Sequence, residues 1–141
     1  MFRNLGQQQQ AERYIKEAVR HVDGMTDRER YRTRGLFYTI TGDYASCVKE
    51  YRDLIARYAS DPSAHNNLAL CSTELRQLTD AVAEMQRVVE ILPKRALYHI
   101  NLGLYADYAG DFRTGETAAN STDARQPVGS SSDRIRLCGS W

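Results

Sequence analysis

A shift of 34 residues lays this sequence over itself with no gap from residue 31 to residue 112. Small residues fall on small ones: Gly35 on Ala69 and Gly103, Cys47 on Ala81 and Gly115. Large ones mostly fall on large: Tyr44 on Leu78 and Phe112, Tyr51 on Met85 though also on Ala119, Leu54 on Val88, Leu68 on Leu102. The same shift pairs His65 with His99, Asn67 with Asn101, and Gly42 with Arg76 and Gly110. A unit of this length cannot enclose a core by itself, so each copy must bury its apolar face against the next.

Within each unit the apolar spacing is helical, and breakers divide it into two helices. Thr26 and Glu29 form a Thr-x-x-Glu capping box, which starts the first helix near residue 27 and runs it to about Thr41. Gly42-Asp43 turns the chain into a second helix reaching about Tyr58, with Tyr44, Val48, Tyr51, Leu54 and Ile55 inward. Asp61-Pro62 opens the next pair, because proline suits a first helical turn and Asp61 can cap it. That helix ends near Leu75, Gln77 to Thr79 turn, and Ala81 to Ile91 form its partner. Pro93 marks the crossing to a third pair, whose first helix (about 95 to 109) carries Leu97, Ile100, Leu102, Leu104 and Tyr105 before Gly110-Asp111 turns again. Gly35, Ala69 and Gly103 are expected to face Cys47, Ala81 and Gly115, since a helical hairpin closes only where two backbones can approach.

The period, the small residues, the Gly42-Asp43-Tyr44 and Gly110-Asp111-Phe112 turns and Pro93 at a unit end resemble the tetratricopeptide repeat. The resemblance implies an all-α fold, a right-handed superhelical solenoid of antiparallel helix pairs. Residues 1–25 are expected to hold an N-terminal helix, a partial repeat marked by Gly6, Ala11, Tyr14 and Ala18; residues 26–120 hold three hairpins, the last truncated. Residues 121–141, rich in Ser, Gly, Asp and Arg, read as a disordered or loosely docked tail. With no polar capping helix after the third pair, Leu104, Tyr105 and Phe112 are expected to be partly exposed, a route to self-association. A narrower likeness, from Thr26-Asp27-Arg28-Glu29-Arg30 to His65-Asn66-Asn67-Leu68-Ala69, is similar to the tetratricopeptide regions of large bacterial kinases, adenylate cyclases and transcriptional regulators. It implies, as the alternative function, a regulatory segment of such an enzyme.

Charge and chemistry narrow the function. Nineteen Lys plus Arg against eighteen Asp plus Glu give a net +1, which leaves no bulk attraction to nucleic acid or anionic membrane. Arg30, Arg32 and Arg34 alternate with Tyr31 but stand beside Asp27 and Glu29, a solvated face rather than an RNA platform. No apolar run approaches the ~20 residues of a membrane span, and the start MFRNLGQQQQ lacks the order of a secretory leader, so a cytoplasmic setting is expected. Cys47, Cys71 and Cys138 are scattered and read as free thiols, the first two as small core residues. No phosphate loop, zinc-protease helix or carboxylate pair is present, so neither an enzyme nor a cofactor is expected. His65 and His99 lie one repeat apart, where helix packing separates equivalent atoms by about 10 Å, too far to share a zinc. Their position prefers a ring, as Tyr31 shows in the first unit. Tyr14, Tyr44 and Tyr51 read as core or inter-repeat residues, and Tyr38, Tyr98 and Tyr108 as able to reach solvent through their hydroxyls.

A protein or peptide partner remains. Asn67 and Asn101, with Thr33 at the matching place, lie on the first helices, which in the resembled family line the concave surface and contact peptide backbone. An amide both donates and accepts, so such a ladder can hold an extended chain without reading its sequence. Helical phase adds Arg32, Leu36, Thr39 and Ile40, then Asn66, Leu70, Thr73 and Glu74, then Ile100, Leu104, Asp107 and Tyr108 to this face. Arg32 is the only basic residue among them, which disfavours a clamp for a terminal carboxylate and favours a segment with aliphatic anchors.

Overall fold

The computed structural model describes residues 5–123, and within them every regular element is helical. In chain order these are α1 (Leu5–Arg20), a short 3-10 turn (Val22–Gly24), α2 (Asp27–Thr41), α3 (Tyr44–Arg57), α4 (Pro62–Glu74), α5 (Leu78–Ile91), α6 (Ala96–Tyr108) and α7 (Phe112–Asp123). Consecutive helices pack on one another from α1 to α7, the translational arrangement of a helical-repeat solenoid. Two apolar clusters succeed each other along it. Cys47, Val48, Tyr51 and Leu54 meet Ala64, Leu68 and Cys71 at the α3–α4 joint; Val82, Met85 and Val88 meet Leu102, Tyr105 and Ala106 at α5–α6. Residues 121–123, expected to begin the tail, instead end α7, because the helix runs on to Asp123; residues 1–4 and the rest of the expected tail, 124–141 with Cys138, lie outside the described residues.

Local signals set the helix ends where the sequence places them. Thr26 and Glu29 close the capping box in both directions, at 3.0 and 3.3 Å. Asp43, Asp61 and Asp111 each accept the backbone N–H three residues on, at 3.2 Å. The middle unit departs: α5 starts at Leu78, inside the expected Gln77–Thr79 turn. Its entrance has neither of the other units' devices. Arg76 adopts φ 62°, the left-handed region that Gly42 and Gly110 occupy at the same phase, and Gln77 stands in for Asp43 and Asp111 with no side-chain cap.

The small-residue seam closes the hairpins, with one difference of detail. Gly103 and Gly115 approach backbone to backbone, a Cβ on either lying about 3.5 Å from the other's carbonyl oxygen. At Gly35 the space is taken instead by the ring of Tyr51, whose carbons lie 2.6 Å from where a Cβ would be. Two tyrosine readings are corrected. Tyr14 is 67% exposed, because nothing among the described residues packs on the outer face of α1; Tyr105 is buried at the α5–α6 joint.

The cysteines overturn the expectation of free thiols. Cys47 on α3 and Cys71 on α4 are joined in a disulfide across the joint between the first and second units, and both are fully buried. They belong to different phases of different units, so the 34-residue alignment never sets them side by side. Thr39 Oγ1 lies 3.2 and 3.4 Å from the two sulfurs.

Two outcomes follow for stability. Replacing Arg76 by Gly and Gln77 by Asp should stabilise the protein by about 1–2 kcal/mol in denaturant titration, by relieving a left-handed side chain and adding a cap. Unchanged stability would mean that this turn is not strained. Reducing the disulfide, which spans 24 residues, should lower stability by about 3 kcal/mol through the freed entropy of the unfolded chain.

Candidate peptide-binding groove

Leu36, Leu70 and Leu104 occupy one register position on α2, α4 and α6, and they are 45%, 36% and 44% exposed. Their chain neighbours Gly35, Ala69 and Cys71 are buried in the seam, so the leucines border the packed joints without entering them. Three large aliphatic side chains are thus left half in water at one register position of the first helices, a row of leucines. Tyr108, exposed one turn beyond Leu104, extends it.

Three residues before each leucine comes a polar rung: Thr33, Asn67 and Asn101, all half-buried. They are not equivalent in their bonding. Asn67 Nδ2 donates to the hydroxyl of Tyr51 on α3 at 3.1 Å, and its Oδ1 faces Asn66 Nδ2 at 3.4 Å. The remaining Oδ1 of Asn66 is buried without a hydrogen bond among the described residues. Met85 takes the place of Tyr51 one unit on, so Asn101 has no such hydroxyl and makes no side-chain hydrogen bond among the described residues. Thr33 contacts Met25 Sδ at 3.4 Å. Thr39 and Thr73 turn their hydroxyls back on the carbonyls of Gly35 and Ala69, both at 2.9 Å.

Arg32 has a structural partner that phase alone did not reveal. Its Nη2 donates to Asp61 Oδ2 at 2.7 Å, and Arg28 Nε donates to the same oxygen at 2.9 Å. The Asp61 side chain is wholly buried while both arginines are nearly half exposed. Burial pushes the Asp61 carboxyl upward; the Ala64 N–H and the two guanidiniums outweigh it, and its pKa lies below the usual carboxylate value. The first helix of one unit is thereby tied to the cap of the next.

The histidines serve the backbone. His65 Nε2 bonds the carbonyl of Ala59 at 2.7 Å and His99 Nε2 that of Pro93 at 2.8 Å, the same six-residue step back in each unit. His65 Nδ1 also meets Glu84 Oε2 at 2.5 Å. No group of three or more His, Cys, Asp or Glu among the described residues could hold a metal ion, and no described helix is long and apolar enough to cross a membrane.

Solved structures share this architecture. The chain is similar to MamA (41-end) from Desulfovibrio magneticus, at 20% identity over 86% of this chain and 68% of that one, TM-score 0.69. A crystal structure of MamA aligns with 90% of this chain and 77% of its own at 16% identity, TM-score 0.72. The TPR2B domain of yeast Sti1, in its complex with pHsp70, aligns at 26% identity over 79% of this chain and 91% of that one, TM-score 0.59. No family model and no curated protein matches.

Because the Asp61 pKa is lowered by folding, its contribution is complete above the unfolded value of about 3.9 and is lost as pH falls through the folded one. Asp61→Asn should therefore be less stable than the wild type by about 2 kcal/mol at neutral pH, with the gap closing below about pH 4. Denaturant titrations across pH 2.5–7 check this (range set by the ~3.9 reference value), and a gap independent of pH would show that the carboxylate charge is not what holds Arg28 and Arg32.

Proposed function

Because the chain shares the fold of the tetratricopeptide-repeat structures it is similar to, we propose that it acts as a non-catalytic interaction module, holding a peptide segment along α2, α4 and α6. The leucine row carries this reading. Equivalent positions in stacked helical units lie about 10 Å apart, close to the ~9.3 Å turn of a polyproline-type chain and to two turns of an α-helix. An extended or helical segment with an aliphatic anchor at each such step would seat its anchors on Leu36, Leu70 and Leu104. Asn67, Asn101 and Thr33 would then hydrogen-bond its backbone. Asn101 is the amide best placed to do so, since Asn67 already donates to Tyr51.

The yeast Sti1 domains similar to this chain are complexes with pHsp70 and pHSP90, which supports a peptide as the kind of partner. A carboxylate clamp is disfavoured, because Arg32, the one base among the groove candidates, is held by Asp61. Affinity then rests on a few apolar anchors over a small area, and is modest. Self-association through the third unit would use Phe112, Tyr108 and Leu104, all exposed; the outer face of α7 is poorly suited to it, with Glu116 where Val48 and Val82 are buried, and Ala119 where Tyr51 and Met85 are. The cytoplasmic setting has to accommodate the disulfide, a bond rare in that compartment, through its burial. A regulatory role inside a larger signalling protein rests on the narrower sequence likeness alone.

Peptides selected from a random displayed library on the wild type supply the probe. The Leu36→Ser/Leu70→Ser/Leu104→Ser variant should fold, since all three are surface residues, and should bind them at least about 100-fold more weakly, at roughly 1 kcal/mol per half-buried anchor. Asn67→Ala/Asn101→Ala should lose about 1–3 kcal/mol of binding. Selected peptides that bind the folded leucine variant as tightly as the wild type would remove the groove from consideration.

A further inference from the structure

One helical turn past Leu36, Leu70 and Leu104, a second register position carries Ile40, Glu74 and Tyr108. Glu74 and Tyr108 are the last residues of α4 and α6, and neither helix has a basic residue in its last turn. Backbone carbonyls left over at such an end carry partial negative charge. A carboxylate placed there adds like to like, and a cation is what the place lacks.

The other charges named on this face are taken. Arg32, the one base, is held by Asp61. Asp107 stands at the phase of Thr39 and Thr73, whose hydroxyls turn into the seam, and its carboxylate lies against Gly115 on α7. Glu74 is exposed, and its side chain has no hydrogen bond or ion pair among the described residues, although Arg76 follows two residues later. Its charge is felt on α6: burial pushes the pKa of the Tyr105 hydroxyl up, and Glu74 and then Tyr108 push it further. The ends of α4 and α6 therefore face one space. Tyr108 is 60% exposed, so its ring is open to a ligand, and Leu70 and Leu104 border the same space one turn back.

We propose that this space receives a lysine or arginine side chain of the segment held in the groove; the proposal rests on the groove reading and adds the partner's charge to it. Equivalent positions on successive first helices lie about 10 Å apart, a gap that one cationic head fills between a carboxylate and a ring. The head pairs with Glu74 and lies on the face of Tyr108, while its methylene stem crosses Leu70 and Leu104. The partner's signature is thus an aliphatic anchor with a base beside it, and an acidic residue at that step is excluded.

The test selects a random displayed peptide library in parallel on the full-length wild type and on Glu74→Gln. Lys or Arg should be enriched at one step beside an aliphatic anchor in peptides from the wild type, and not in those from the variant. One wild-type peptide is then synthesised together with a version carrying norleucine for the base, which keeps an alkyl stem and removes the charge. In fluorescence anisotropy, Glu74→Gln and Tyr108→Leu should each bind the parent peptide about fivefold more weakly than the wild type does, and the norleucine peptide equally well. Both substitutions are exposed, and circular dichroism checks that the variants are folded. The site is overturned by peptides without a basic preference, by the same preference in both selections, or by a parent peptide bound equally by wild type and folded Glu74→Gln. If such peptides still fail on the leucine variant, the groove stands without this site. If they bind that variant unchanged, or the library yields no binder, the groove falls and the site with it.

Discussion

Every feature of this protein depends on how closely its helices can approach within a hairpin. Where Gly103 meets Gly115 the two backbones touch, and where Gly35 lies the ring of Tyr51 occupies the space a methyl group would need. That proximity brings the flanking side chains into register, so contacts recur between units: the histidine brace to a carbonyl six residues back in the second and third, the threonine bond to the seam carbonyl in the first and second, the aspartate cap of the turn in the first and third. A solenoid has no common centre, and its stability is the sum of such local terms and of the joints between neighbours.

Periodicity made the architecture legible from the sequence because each structural role recurs at a fixed interval. The helix boundaries, the capping box and the turns at Gly42 and Gly110 all express local rules that a residue and its near neighbours settle. The joints were not legible in the same way. The Cys47–Cys71 bond and the attachment of Arg32 to Asp61 link different phases of successive units, and a shift that superimposes like on like cannot show which unlike residues touch. Tyr14 read as a core residue because the helix carrying it follows the repeat pattern, yet a core position needs a neighbour on the far side. The candidate groove divides along the same line. Phase placed Leu36, Leu70 and Leu104 on one face; the difference between Asn67 and Asn101 depends on Tyr51 having Met85 as its counterpart on another helix.

The places where the repeat breaks its own rule are as informative as those where it holds. Arg76 and Gln77 replace a glycine and a capping aspartate in the middle unit, and their effect is local to one turn. In the third, Ala118 and Arg113 stand where the second unit has Glu84 and Thr79.

The covalent bridge between α3 and α4 bears on how such an array comes apart. In a linear stack, disorder enters at an end and advances joint by joint, each unit melting as its neighbour leaves. Here the first two units are welded into one cooperative block, while among the described residues the third has no such bridge to the second. Fraying should therefore proceed inward from α7 and halt at the weld, leaving the α2–α5 portion as a surviving core whose groove keeps two of its three leucines.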